Sequence, residues 1–231
     1  MSTGRAPVVL IVGVGEGLGY ALGKRFAAAG FKVALAARGA ERLEQLAEAI
    51  VGTGGEALAL PTDARDERSV LALFDAIETS HGPVEVTVFN VGAMYHAPIA
   101  EMPADMFEQA WRTGCYAGFL VGREAARRMA PRSRGTILFT GATASLRGGA
   151  HFAAFAAAKH GLRALAQSMA RELDPRGIHV AHVVIDGRIG AQSGDLGLAP
   201  DAIAETYYRI HAQPRSAWTF ETDLRPWAER F

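Results

Sequence analysis

The chain has one cysteine, Cys115, so no intrachain disulfide can form and no cysteine-rich metal site exists. A reducing cytoplasm is the expected setting. An excess of either charge is missing too: Lys+Arg and Asp+Glu both number 24, which marks no face for nucleic acid or an acidic membrane. No apolar run approaches the roughly 20 residues of a membrane span. The first, Val8 to Val12, is short and is followed by glycines rather than a cleavage site. Linker-like stretches, low-complexity tracts and solenoid repeats are absent. With 231 residues, 49% of them hydrophobic, the expectation is one domain over residues 1–231, with small molecules or other protein chains as partners.

What is present is alternation. Val8 to Val12 is aliphatic on both faces, as a buried parallel strand is. Helical spacing over Leu18 to Ala29 leads to a second strand, Lys32 to Ala37, which completes a βαβ unit. Helix Ala40 to Val51, strand Ala57 to Leu60, helix Glu67 to Ser80 and strand Val84 to Asn90 follow. A long helical region, Ala104 to Met129, precedes strand Thr136 to Thr140, helix Phe152 to Leu173 and strand His179 to Ile185. After a short helix around Ala202 to His211, the alternating segment Ala217 to Leu224 adds an edge strand. Trp218, Phe220 and Trp227 then lie in the core or at a subunit interface. The pattern predicts an α/β fold: a doubly wound parallel sheet of six or seven strands with helices on both faces.

The turn after the first strand is Gly13-Val14-Gly15-Glu16-Gly17-Leu18-Gly19. Placed at a helix N-terminus, such a turn offers bare N–H groups and a positive dipole end to a pyrophosphate. GxGxxG fails at its third glycine in either register, whereas GxxxGxG fits at Gly13, Gly17 and Gly19. In the helix Phe152 to Leu173, Phe155 and Lys159 stand four residues apart on one face.

Together with Asp63 after the third strand, the Asn90-Val91-Gly92 turn and Lys159 at a YxxxK position, this loop resembles the short-chain dehydrogenases/reductases over about Val8 to Ala191. The resemblance implies a Rossmann-type dinucleotide site. Asp63 and Ala64 would approach the adenine, Asn90, Val91 and Gly92 the ribose and central sheet, and Lys159 the nicotinamide ribose. The segment Asp186-Gly187-Arg188-Ile189 takes the place of the family's PGxV, with Ile189 against the carboxamide and Asp186 in place of proline. Ala37 and Arg38 end the second strand where an NAD-binding acid would stand, so NADP is favoured over NAD; Glu16 in the phosphate loop argues the other way.

The implied activity is hydride transfer between the nicotinamide and a carbonyl or alcohol. Yet the family's tyrosine position is Phe155, its serine position Ala142 and its asparagine position Cys115; only Lys159 remains. Thr143 and Ser145 are the hydroxyls that could replace the serine, and His96 and His151 fall in segments that line the family's substrate pocket. Tyr95 and Tyr116 are the nearest tyrosines, and neither shares the Lys159 helix. The lid region, Ala191 to Leu198, is short and glycine-containing, which would leave the pocket open. Two classes of function stand: an oxidoreductase with atypical acid-base residues, or a dinucleotide-binding pseudoenzyme acting as a redox sensor or hetero-oligomer subunit. Ala-rich faces on the Lys159 helix and on Gly114 to Arg128 suggest close helix approach in a homodimer or homotetramer.

Overall fold

The computed structural model describes residues 6–228, apart from the side chains of 191–193. The outermost parts of the expected domain, residues 1–5 and 229–231, lie outside the described residues. Strands β1 (Val8–Val12), β2 (Lys32–Ala37), β3 (Glu56–Pro61), β4 (Val84–Phe89), β5 (Gly135–Thr140) and β6 (Ile178–Ile185) alternate with helices α1 (Leu18–Ala28), α2 (Ala40–Val51), α3 (Glu67–His81), α4 (Ala104–Trp111), α5 (Ala117–Met129) and α6 (Ala153–Leu173). Two-residue strands β7 (Arg188–Ile189) and β8 (Gly197–Leu198), helix α7 (Pro200–His211) and strand β9 (Glu221–Leu224) complete the chain. The main sheet is seven-stranded in the order β3-β2-β1-β4-β5-β6-β9, and every pairing in it is parallel.

Strand alternation explains the two-sided burial. Val8, Leu10 and Val12 join the core under α3, α5 and α6, while Val9 and Ile11 join the core under α1, α2 and α7. All five are essentially inaccessible to solvent, which accounts for the unbroken apolar run. The α4–α5 region is continuous, as its sequence predicts, but Arg112–Tyr116 forms a π turn that widens the helix by one residue. That turn carries Cys115 against α6, where a Cβ added to Gly161 would lie 2.8 Å from its sulfur.

Two expectations are corrected, the edge strand and Trp227, and two further segments gain detail. The edge strand begins at Glu221 rather than Ala217, because Trp218 stacks on His179 with ring centroids 4.7 Å apart and Thr219 bonds to the Gln213 side chain. Trp227 is 83% exposed and belongs to no core, whereas Phe220 packs against one. The lid region contributes β8, which pairs with β7, so it is partly ordered by backbone bonding. The small residues of α5 are used inside the chain: a Cβ on Gly118 would strike Leu162 of α6 at 2.4 Å and one on Gly122 would meet Phe139 at 2.9 Å. These two glycines are therefore used for packing within the chain.

Candidate functional site

β1 lies between β2 and β4, so the chain leaves β1 toward one side of the sheet and later returns to build the other. At such a reversal the loops after the two adjacent strands diverge and open a crevice at their C-terminal ends. Gly13 follows β1 and Asn90 follows β4, which places both at that crevice. Asn90 Nδ2 donates to the Gly13 carbonyl at 2.9 Å and ties the two loops together. Gly13 has φ +93°, and a Cβ there would lie 2.7 Å from the Asn90 carbonyl and the Val91 nitrogen, so no other residue fits without a shift. Gly19 is equally constrained, with Val14 Cα 2.7 Å from its virtual Cβ.

Gly15 and Gly17 differ: added Cβ atoms would meet nothing within 4 Å. The protein does not need their bareness for its own packing. It leaves backbone open to a ligand at the N-terminus of α1, whose cap, Gly17, makes no side-chain bond and whose first turn carries no acid. This cradle fits a pyrophosphate.

Two cavities flank the cradle and share Gly15, Asn90, Val91 and Gly92, forming one cleft along the sheet edge. One, about 490 Å³, is lined by Gly13, Ala37, Arg38, Asp63, Ala64, Arg65 and Tyr95, and by Gln109 and Thr113 from the α4 region. The Asp63 carboxylate is held below its usual pKa by its Arg65 hydrogen bonds, the closest 2.7 Å. Arg38 lines the same cavity, and Glu16 is paired with Arg42 on α2. Arg65, Gln109 and Thr113 were not legible as lining residues. Arg65 carried a local signal, since its N–H donates to the Asp63 carboxylate two residues earlier; the other two arrive through tertiary packing alone.

The other cavity, about 400 Å³, is lined by Leu18, Gly19, Ala142, Phe155, Lys159, Ile185, Gly187 and Ile189 among others. Lys159 is 4% exposed; its Nζ donates to the Thr140 carbonyl at 2.8 Å and the Val91 carbonyl at 3.2 Å. Burial lowers its pKa to about 8. Phe155 presents its ring 5.9 Å from that nitrogen.

The expected replacement groups do not gather there. Ser145 is fully buried, its Oγ accepting from the Ala142 N–H, and Thr143 donates to the Asp186 carboxylate at 2.5 Å. His96 and His151 meet each other at 5.3 Å between ring centroids, and neither lines the Lys159 cavity. Tyr116 stacks on Trp111, away from the cavity lining. Cys115 is buried, which raises its thiol pKa. Asp186, which stands where the family has a stiffening proline, is anchored instead: its carboxylate also accepts from Arg147 at 3.4 Å and its N–H donates to Leu224 O at 2.8 Å. Among the described residues, no group of three His, Cys, Asp or Glu side chains could hold a metal ion, and no helix is long and apolar enough to cross a membrane.

Fold and cleft together define a doubly wound α/β protein built to hold an extended phosphate-containing ligand at its switch point. The chain belongs to the short-chain dehydrogenase family, whose description matches residues 7–188. It is 32% identical over 184 residues to the 3-oxoacyl-[acyl-carrier-protein] reductase MabA of Mycobacterium avium, an alignment covering 80% of this chain and 68% of that protein. The crystal structure of a short-chain dehydrogenase from Rhodopseudomonas palustris is 48% identical, covers 96% of this chain and 100% of its own, and superposes with TM-score 0.89. A metagenomic short-chain oxidoreductase solved in complex with NADP is 27% identical, with coverage of 99% and 100% and TM-score 0.88.

Proposed function

We propose that this protein is an NADP(H)-dependent oxidoreductase that transfers hydride between the nicotinamide and a carbonyl or alcohol without the family's tyrosine, serine and asparagine. The observation that carries the reading is the continuous cleft, with open-faced Gly15 and Gly17 at its centre, two guanidinium groups at one end and the buried Lys159 ammonium at the other. Gly13, Gly15, Gly17, Leu18 and Gly19 would cradle the pyrophosphate. Asp63 and Ala64 would border the adenine, Asn90, Val91 and Gly92 the ribose, and Gly187 and Ile189 the nicotinamide ring. Bound reduced dinucleotide would supply the hydride. Preference for NADP rests on Arg38 and Arg65 in the adenine-side cavity, with Glu16 neutralised by Arg42.

At the reacting end Phe155 and Ala142, in two of the family positions, line the cavity with Lys159, its one charged side chain, while Cys115 in the third position lies outside the lining. Losing a positioned general acid costs about 10² to 10⁴ in rate, so turnover of ordinary ketones should be slow. The second reading, a dinucleotide-binding pseudoenzyme, draws on the commitment of Thr143 to Asp186 and the burial of Ser145. We further read the chain as a single cytoplasmic domain in a homodimer or homotetramer, on the strength of Phe107, Trp111 and Phe119, all exposed along α4 and α5.

NADPH fluorescence titration tests the common core of both readings. Saturable binding is expected, and Arg38→Ala should weaken NADPH about tenfold while leaving NADH within threefold, as loss of one charge-assisted phosphate contact predicts. Equal losses for both nucleotides would remove the NADP preference. Binding without turnover across carbonyls and alcohols would leave the pseudoenzyme reading.

A further inference from the structure

We propose that the acceptor reduced in this cleft is an apolar conjugated carbonyl compound of the quinone class, whose reduced oxygen needs no protein acid. The inference rests on the oxidoreductase reading above and concerns the chemistry of the Lys159 cavity.

Hydride addition to an isolated ketone leaves an alkoxide, about as basic as hydroxide, for which water's pKa of about 15.7 sets the scale. A quinone that accepts hydride at one oxygen becomes aromatic, and its other oxygen is a phenolate with a pKa of about 10, like that of tyrosine. The first acceptor requires a proton in the transition state, whereas the second can take it from water afterwards. The cavity lining has no free hydroxyl to give that proton in the first case. Its lining holds three polar side chains, and two are committed elsewhere: Asn90 Nδ2 donates to Gly13 O at 2.9 Å and Thr140 Oγ1 is bonded to the Tyr207 hydroxyl at 2.7 Å. Lys159 uses two of its three N–H groups on backbone carbonyls, which leaves one for an oxyanion. An ammonium in a buried site stabilises a delocalised phenolate by charge.

The walls suit a flat apolar ring. Ala142, Phe155 and Ile185 line the cavity beside the residues that would hold the dinucleotide. The loops that follow β4, β5 and β6, at the same end of the sheet, carry exposed apolar side chains: Met94 is 72% exposed, Ile99 73%, Leu146 39% and Leu196 51%. Those loops are tied together. The His96 ring packs 4.9 Å from Phe152 and Ala97 N–H donates to His151 O at 3.0 Å, which joins the first two, and Thr143 donates to the Asp186 carboxylate at 2.5 Å, which joins the second to the third. In the step itself, one quinone oxygen takes the hydride, an O–H bond forming with both electrons of the C–H bond that breaks in the reduced dinucleotide, and the ring becomes aromatic with the negative charge on the other oxygen. The hydroquinone monoanion forms against Lys159, and one proton from water completes the hydroquinone.

The test compares 1,4-naphthoquinone with 2-tetralone, a ketone on the same carbon frame, using NADPH and correcting for the uncatalysed rate. Wild-type kcat/KM should favour the quinone by at least about 10². Phe155→Tyr combined with Ala142→Ser should raise tetralone reduction by about 10² or more and so narrow the ratio. A readout apart from turnover is calorimetric titration of the protein loaded with oxidised NADP: 2-methyl-1,4-naphthoquinone should bind saturably, and Met94→Lys with Leu146→Lys should weaken it at least tenfold. If NADPH itself does not bind, the oxidoreductase reading fails and takes the proposal with it. If NADPH binds but the quinone neither binds nor turns over, or tetralone is reduced as fast, the quinone proposal alone is overturned.

Discussion

Lys159 should make the free protein less stable than it would be without the charge. The ammonium is 4% exposed, and burial lowers its pKa from 10.5 to about 8. A tenfold change in proton affinity corresponds to about 1.4 kcal/mol, so the charged form is disfavoured in the fold by about 3 kcal/mol at pH 7. The hydrogen bonds to Val91 O and Thr140 O return about 1 kcal/mol each. Lys159→Met, which keeps the stem and removes the charge, should therefore stabilise the protein by about 1 kcal/mol at pH 7. The pH dependence isolates the electrostatic part. Between pH 8 and 10.5 the unfolded chain holds the Lys159 proton and the folded one does not, so this group makes wild-type stability rise with pH. The gap between variant and wild type should shrink by about 1 kcal/mol from pH 7 to pH 9, read from urea unfolding at each pH. A gap that does not change with pH would refute the claim that Lys159 is buried as an ammonium.

Two further outcomes follow from geometry. Gly13→Ala places a Cβ 2.7 Å from the Asn90 backbone at φ +93°, and should cost about 2 to 5 kcal/mol of stability, whereas Gly15→Ala, which meets open space, should leave stability within about 0.5 kcal/mol and weaken NADPH binding instead. Urea midpoints with nucleotide titration separate the two; equal midpoints would show the Gly13 loop to be pliant. His182, fully buried against Glu221, has its pKa lowered from 6.5 to about 4 chiefly by burial. The unfolded chain binds its proton first as pH falls, so stability should drop through that window, by about 2 kcal/mol from this group between pH 7.5 and pH 5. His182→Gln should remove that part of the acid sensitivity; an unchanged pH profile would count against a neutral buried imidazole.

Much of the fold was legible because local rules suffice for it. A run such as Val8–Val12 cannot be apolar on both faces unless both are covered, and glycines at a strand-to-helix turn have few other uses. The sequence also placed Lys159 one helical turn from Phe155, and the cleft holds both. The start of the edge strand was not legible, because alternation over Ala217 to Phe220 competes with the stacking of Trp218 on His179, a residue of another strand far away in sequence. The roles of Ser145 and Thr143 were illegible for the same reason. Each hydroxyl sits near Ala142 in sequence, and only the packing of the β5–α6 turn against β6 sends one into the core and the other to Asp186.

The sequence by itself determined the order of strands and helices, the glycine cradle, the surviving lysine and the absence of a proton at Phe155, since all depend on residue type at short spacing. Tertiary structure alone decided which polar groups reach the cleft, because a side chain's partners across the sheet are set by where distant loops converge. It brought Arg65, Gln109 and Thr113 to one end, anchored Asp186 in place of a proline, and buried the Lys159 ammonium against the Thr140 and Val91 carbonyls.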